Sequence, residues 1–223
     1  MNEKFFALPK ERQEQIINAA YEVFSRNSYK NASMSRLADA GGVSKSLLFH
    51  YFLNKKELYL YLWGHAGRLY HEKVMKCHAQ TTDFFEIICQ RVLAGCLFMR
   101  EAPAIYLFTL RAFFEENPEI KEELRHNDRA TFIHGIDDIL IPADMDLIRP
   151  GIDIQLLLEE INGYLLSCYW KMFSSGELDP DFLENDFMKR IWQWKRVYQR
   201  EMISPVGEAP SPAPFFEDKN KKE

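Results

Sequence analysis

The chain has 223 residues, of which 47% are hydrophobic, 14% aromatic and 27% charged. This composition is typical of folded globular proteins, and the length suffices for a buried core without disulfides, which argues against a disordered or fibrous chain. The longest uncharged stretches, such as residues 58–67, have about half of the roughly 20 apolar residues that span a bilayer. The N-terminus becomes charged before any apolar segment of signal-peptide length, so we expect a cytoplasmic protein with no membrane partner.

The net charge of −5 is unevenly distributed along the chain. Residues 1–63 contain nine Lys/Arg and six Asp/Glu, a net charge of +3, which leaves −8 for the remainder. The four cysteines form no CxxC pair, and the spacings His71/His78 and Cys89/Cys96 place each pair about 10.5 Å apart along a helix, too far to share one ion. No nucleotide-binding, hydrolase or metalloprotease motif occurs, so we expect no metal, no cofactor and no enzymatic activity.

Apolar residues recur at three- and four-residue spacings throughout, which predicts an all-α protein. A first amphipathic helix is predicted from Pro9 to Arg26, followed by a short helix capped by Ser33 that stops at the pair Gly41-Gly42. Ser44 caps a second short helix, and Asn54 with Glu57 predicts a capping box that opens a long helix to about Cys77. Two short helices around a glycine turn, after a supporting helix, are typical of a helix-turn-helix.

The remaining helices are predicted in a second, larger part of the chain. Their expected ranges are 83–100, 103–116, 118–141, 152–174 and 180–201. Asn117-Pro118 and Asp179-Pro180 each place a capping residue before a proline at the first helical position. We therefore divide the chain into a three-helix helix-turn-helix domain (residues 1–62), a helical effector-binding and dimerisation domain (residues 63–203) and a disordered tail rich in proline and charge (residues 204–223).

The segment SMSRLADAGGVSKSLLFHYFLNKKEL, residues 33–58, resembles the DNA-binding domain of the TetR family of bacterial regulators, and the resemblance covers residues 11–62. The shared features are a serine cap, a Leu-Ala pair, a Gly-Val-Ser turn, an aromatic-rich recognition helix and a Lys-Glu-Leu start of the next helix. They stand here at Ser33, Leu37-Ala38, Gly42-Val43-Ser44, Leu48 to Phe52, and Lys55 with Glu57-Leu58. The chain departs from the family at Ser28, where glycine is usual, at Ser46-Leu47, which replace Gly-Thr, and at Phe49, which replaces a tyrosine.

The resemblance implies double-stranded DNA as a partner and assigns candidate contacts. Lys45, Ser46 and His50 are expected to reach base edges, and Leu47 to pack or contact a thymine methyl group. Lys55 and the adjacent helix N-terminus are expected to hold a phosphate. The further DNA-contact candidates are Ser33, Ser35, Ser44 and Tyr51, of which Ser35 and Tyr51 are assigned to phosphate.

In the larger domain the helix from Ile152 is apolar over most of its circumference, so it must be buried from several sides. The last helix carries an apolar stripe that includes Phe187, Ile191 and Trp194. Two such helices from each subunit predict a four-helix homodimer interface, and packing within one subunit is the alternative. The aromatic residues favour an apolar or aromatic effector, and the acidic excess leaves a cationic one open. The ligand candidates are Phe98, Tyr106, Phe113, Phe132 and Trp170.

These patterns predict a repressor that binds a palindromic operator as a homodimer and is released by a small-molecule effector. Two alternatives stay open. The protein could keep the DNA-binding domain and act as an activator or a ligand-independent DNA binder. It could also be a helical protein-interaction module that has lost DNA binding, for which the substitutions at Ser46 and Leu47 are the motive.

Overall fold

A computed structural model describes residues 3–77, 81–126 and 143–200 of the chain. Its α-helices are α1 (Glu3–Phe6), α2 (Lys10–Arg26), α3 (Met34–Ala40), α4 (Lys45–Tyr51), α5 (Lys55–Cys77), α6 (Phe84–Glu101), α7 (Pro103–Phe113), α8 (Lys121–His126), α9 (Ile154–Ser175) and α10 (Pro180–Tyr198). A 3₁₀ turn lies at Met145–Leu147. Within these three ranges the backbone forms no β-strand, only an isolated bridge between Ile148 and Gln199, and the all-α prediction is confirmed.

The buried side chains form two clusters. The N-terminal core contains side chains of the first four helices and of the first half of α5. It also includes Phe108 and Ala112 of α7 and Leu124 of α8. The C-terminal core joins the second half of α5 with α6, α9, α10 and the start of α7. The predicted domain boundary at residue 62 falls inside α5, and Trp63, one residue later, is still buried in the N-terminal core. Helices α5 and α7 therefore contribute side chains to both cores.

Aspartate caps begin three helices of the C-terminal core. Asp83 Oδ1 accepts hydrogen bonds from the backbone N–H groups of Phe85 and Glu86, at 3.0 and 3.1 Å. Asp153 caps α9 in the same way, and Asp179 accepts from the Phe182 N–H at 3.0 Å directly before Pro180. Each cap satisfies backbone donors that a helix start leaves free, which is why these starts could be located from the sequence.

Two predicted helix boundaries were wrong. The helix predicted over 103–116 ends at Phe113, and the helix predicted to begin at Pro118 begins at Lys121. The reason is the Asn117 side chain, which accepts a hydrogen bond from the Glu119 N–H at 2.9 Å and folds residues 118–120 into a turn. Of the range predicted to extend to residue 141, the part beyond His126 lies outside the described residues, and so does the predicted tail.

Helix α1 was not predicted from the sequence, and α9 is only partly buried within this chain. Helix α1 is only four residues long and has little periodicity to detect. On α9, Leu156, Leu166 and Trp170 are exposed, with 62%, 41% and 54% of their surfaces accessible in the single chain. The helix is therefore apolar on a face that this chain does not cover.

Measured by length and hydropathy, none of the described helices could cross a bilayer alone. Helices α6 and α7 pass such a test only when they are added together, and they are bent by 118° where they meet.

Candidate nucleic-acid interface

The turn between α3 and α4 is set by two glycines with different tasks. Gly42 has φ +62°, a left-handed conformation that side chains with a Cβ rarely adopt. A Cβ on Gly41 would lie 3.3 Å from the Leu37 carbonyl oxygen and 3.7 Å from Ile16 Cα, so the absence of a side chain lets the turn approach α2. Arg12 of α2 donates from Nη2 to the Gly42 carbonyl at 2.7 Å. These contacts fix the orientation of α4 relative to its supporting helix.

Serines cap both helices of the motif, as predicted. Ser33 Oγ accepts from the Arg36 N–H at 3.2 Å, and Ser44 Oγ accepts from the Leu47 N–H at 3.1 Å. Because these bonds use each hydroxyl as an acceptor, its own hydrogen stays available to donate. Both serines are exposed at the edge of the motif. A serine cap here can therefore also hold a phosphate oxygen.

Helix α4 has a buried face and an exposed face. Leu48 and Tyr51 are buried, with 1% and 7% of their surfaces accessible. The exposed residues are Lys45, Ser46, Leu47, Phe49 and His50. This face combines an ammonium, a hydroxyl, an imidazole and two apolar side chains, which are the groups that read base edges and thymine methyls in a major groove.

Phe49 is a candidate contact that the sequence analysis did not include among the DNA-binding residues. Its side chain is 40% accessible on the same face as Lys45 and Ser46. The helical spacing of three to four residues from Lys45 and Ser46 was the available signal. An exposed ring at this position can pack on thymine methyl groups or sugars.

Aromatic side chains pack behind the recognition helix. The Phe5 ring of α1 is fully buried, and its centroid lies 4.8 Å from that of Phe52 and 5.8 Å from that of Tyr51. The ring of Tyr61 in α5 completes this cluster, with its centroid 6.0 Å from that of Phe5. The N-terminal segment thus fills the space between the end of α4 and the start of α5, and it holds Tyr51 in place.

The start of α5 confirms the predicted capping box with one difference. Asn54 Oδ1 accepts from the Glu57 N–H at 2.8 Å, and the Glu57 carboxylate accepts from the N–H of Leu53 at 2.6 Å. In the usual box the glutamate reaches the capping residue itself, whereas here it reaches the residue before. The bend between α4 and α5 is therefore fixed on both sides of Asn54.

Lys55 has an intramolecular contact that its sequence position did not indicate. Its Nζ donates to the Tyr29 carbonyl at 2.8 Å and lies 4.3 Å from the centre of the Tyr29 ring. A second carbonyl, that of Lys30, lies at 3.5 Å. Two of the three ammonium hydrogens are thereby directed at the loop after α2. The phosphate contact expected of Lys55 stays a prediction, and it would use the third hydrogen.

The same loop is held by acidic residues that follow α7. Glu115 accepts from the Tyr29 N–H at 3.0 Å, and Glu119 accepts from the Tyr29 hydroxyl at 2.8 Å. Burial, together with the hydrogen bond and charge of Glu119, raises the pKa of the Tyr29 phenol well above its usual range, so the hydroxyl stays a donor. Arg111 of α7 also donates to the Ser25 carbonyl at 2.5 Å. We call this set, Tyr29 with Glu115 and Glu119 and Ser25 with Arg111, the interdomain contact.

Of the ligand candidates among the described residues, only Phe98 and Tyr106 are brought together, with ring centroids 6.2 Å apart. Phe98 and Tyr106 are buried in the C-terminal core, whereas Trp170 is 54% accessible on the outer face of α9. Phe113 is half-buried at the end of α7, in the wall of a small pocket beside α5. Phe132 lies outside the described residues.

Comparison with known proteins identifies the class of fold that this geometry defines. The family model described as "Bacterial regulatory proteins, tetR family" matches residues 16–62, the segment that contains most of α2, all of α3 and α4, and the start of α5. The HTH-type transcriptional activator FasR of Mycolicibacterium smegmatis is 48% identical over 50 residues, which are 22% of this chain and 23% of that protein. The similarity to this curated relative is thus confined to less than a quarter of its length.

Solved structures extend the likeness to the remainder of the chain. A TetR family transcriptional regulator from Chloroflexus aurantiacus aligns with a TM-score of 0.59 at 21% identity, over 90% of this chain and 99% of that one. The regulator FadR of Bacillus subtilis, solved in complex with stearoyl-CoA, aligns with a TM-score of 0.59 at 18% identity, over 79% and 96% of the two chains. Residues 16–62 thus match the tetR family model, and the described part of the chain has the fold of solved TetR family regulators.

Proposed function

We propose that this protein is a transcriptional repressor that binds a palindromic operator as a homodimer and dissociates when a small molecule binds its C-terminal domain. The observation that carries the DNA-binding part is the exposed face of α4, which is held by Gly41-Gly42, the serine caps and the aromatic cluster around Phe5. A short helix presented on a packed scaffold is the geometry with which a helix-turn-helix enters the major groove.

Each candidate contact has a role that follows from its chemistry. Lys45 can donate to guanine O6 and N7, and Ser46 and His50 can donate to or accept from base edges. Leu47 and Phe49 offer apolar surface to thymine methyls. The phosphate candidates are Ser33, Ser35, Ser44, Tyr51 and Lys55, whose contacts would set the register of the domain on the duplex without reading its sequence.

The exposed apolar face of α9 supports the homodimer. Leu156, Leu166 and Trp170 lie on it at spacings of ten and four residues, and Trp192 of α10 is 55% accessible. Gly163 lies on the same face, and a Cβ added to it would meet nothing within 4 Å. Large apolar groups left in water favour a self-complementary interface, which a two-fold dimer supplies. A dimer also provides the two recognition helices that a palindrome requires.

The effector would act by shifting a conformational population. A ligand that binds one arrangement of the two domains more tightly would favour it, and a ligand with equal affinity for both would change nothing. The ligand candidates Phe98, Tyr106, Phe113, Phe132 and Trp170 favour an apolar or aromatic effector, and the acidic excess of the C-terminal part keeps a cationic one as the alternative. FadR of Bacillus subtilis, which has this fold, binds stearoyl-CoA, so the fold is compatible with an apolar effector.

Activation is the second candidate function. It is favoured by the name of the relative FasR, a transcriptional activator that is 48% identical to this chain over 50 residues. The position of the operator separates the two functions, because a repressor's footprint overlaps the promoter and an activator's lies upstream. A protein-interaction module without DNA binding is the outcome if no DNA is bound.

The test is a mobility shift on the DNA that flanks the gene, at two salt concentrations, with the Lys45→Ala variant beside the wild type. We expect specific retardation that weakens with salt, and a loss of about tenfold in affinity for the variant, since a base contact contributes about 1–3 kcal/mol. Arg200→Ala, which removes one positive charge at the far end of α10, is the matched control and should bind as the wild type does. No retardation by a folded dimer would reject DNA binding.

A further inference from the structure

A small pocket of about 170 Å³ lies between α5, the end of α7 and α8, against the N-terminal core. Its walls are formed by Trp63, Phe113, Leu124, Glu115, Lys121 and Arg125. The apolar part of the wall combines two aromatic rings with the aliphatic side chain of Leu124, and two cations also line the pocket. The pocket is separate from the exposed face of α4 and is built by residues that touch the interdomain contact.

The indole of Trp63, one of the residues that line the pocket, carries an unsatisfied polar group. Only 3% of the Trp63 surface is accessible, and no group in residues 3–77, 81–126 or 143–200 accepts a hydrogen bond from its Nε1. A buried donor without an acceptor destabilises the fold, and most buried donors in proteins are paired. A ligand that brings an acceptor oxygen into the pocket, with a small rotation of the indole, would remove this penalty.

The two cations of the pocket form only weak ion pairs within the chain, so they can pair with a bound ligand instead. Lys121 pairs with Glu116, whose side chain is 69% accessible, and Arg125 lies 3.6 Å from the same carboxylate. Ion pairs this exposed contribute little to stability because water and salt screen them. Lys121 lines the pocket and its side chain is only 25% accessible, so its ammonium can pair with a carboxylate bound there. Glu115, the acidic residue of the wall, already accepts from the N–H groups of Tyr29 and Asn117.

We propose that this pocket binds a small aromatic carboxylate. The ring would lie between Trp63 and Phe113, and the carboxylate would accept from Trp63 Nε1 and pair with Lys121, with Arg125 as the outer cation. A single substituted ring matches the volume, since an apolar cavity of about 150 Å³ holds a benzene molecule. The carboxylate is required because it supplies both the missing acceptor and the counter-charge.

A ligand bound in this pocket would affect DNA binding, because one residue of the pocket wall also contacts the loop after α2. Glu115 forms part of its wall and also holds Tyr29, whose carbonyl receives Lys55 at the start of α5. A carboxylate placed beside Glu115 repels it, which weakens the hydrogen bond to Tyr29 and loosens the N-terminal domain from α7. This consequence rests on the proposed DNA-binding function, whereas ligand binding itself does not.

Binding is tested without DNA, by two-dimensional ¹H–¹⁵N NMR of the indole N–H groups in the full-length protein. The Trp63 signal is assigned from a Trp63→Phe variant, and benzoate is titrated beside its neutral analogue benzamide. We expect benzoate to move the Trp63 signal downfield with a Kd on the order of 1 mM, and benzamide to bind about tenfold more weakly. Lys121→Gln should weaken benzoate binding about fivefold. Lys73→Gln, a paired lysine elsewhere on α5, should not.

A Trp63 signal that benzoate leaves unmoved, or that benzamide moves equally well, would overturn the proposal. An unchanged affinity of Lys121→Gln would remove the assigned counter-charge and overturn it as well. The coupling is tested next by adding benzoate to the retarded DNA complex. Release from DNA by benzoate and not by benzamide supports the coupling, and an unchanged complex at saturating benzoate rejects it. Failure of the wild type to bind DNA at all would reject the proposed function and leave the NMR result standing.

Discussion

Replacing Phe5 by alanine tests whether the N-terminal segment holds the recognition helix. The Phe5 ring has no accessible surface and contacts the rings of Tyr51, Phe52 and Tyr61. Burying a phenylalanine contributes about 1.5–3 kcal/mol, and a phenylalanine-to-alanine change in a core costs about 3–5 kcal/mol. Helix α1 has only four residues, so it can detach while the remaining helices stay folded, and this limits the loss.

We therefore expect Phe5→Ala to lower the free energy of unfolding by about 2–4 kcal/mol. Operator affinity should fall about tenfold even where the variant is fully folded, because Tyr51 loses the ring that positions it. Urea unfolding followed by tryptophan fluorescence, at one fixed protein concentration, measures the first quantity. A mobility shift on the operator measures the second.

The neighbouring residue supplies the matched control. Phe6 has the same side chain on the same helix but is 48% accessible, so Phe6→Ala should cost less than about 1 kcal/mol and leave operator binding unchanged. If the two variants lose the same stability and the same affinity, the reasoning is refuted, since burial of Phe5 would then contribute nothing to the position of α4.

Two further predictions concern charge and pH. Burial opposes ionisation of Asp83, but hydrogen bonds from Lys195, the Glu86 N–H and Gln199 outweigh it and hold the pKa of this carboxyl below its usual range. Asp83→Asn keeps an acceptor for the cap and loses the charge, so it should cost about 1–2 kcal/mol at pH 7, and urea titrations should show this difference shrinking as the pH falls below about 4. For His65, burial and then the charge of Arg68 lower the pKa, so the unfolded chain binds the proton more tightly. Stability should therefore fall as the pH drops below about 6.5, and His65→Gln should remove that part of the dependence, whereas an equal slope in both proteins would contradict the assignment.

The sequence by itself determined the helix caps and turns, including those of the helix-turn-helix formed by α3 and α4. Ser33, Ser44 and Asp179 cap the helices they were predicted to cap, because a side chain that satisfies backbone donors two or three residues ahead acts within one helical turn. The glycine turn before α4 is equally local, since its conformation depends on the absence of a Cβ at Gly42. Such signals need no knowledge of the remainder of the chain.

Only the tertiary structure decided how the helix-turn-helix is positioned against the remaining helices. Tyr29 meets Glu119 across 90 residues of sequence, Arg111 meets Ser25 across 86, and neither pair leaves a pattern that spacing could reveal. The same holds for the exposure of α9, because periodicity indicates that a face is apolar but not whether this chain or a second one covers it. The physical reason is that caps and turns are selected by neighbouring backbone groups, whereas interdomain hydrogen bonds and pockets arise only once packing has brought distant helices together.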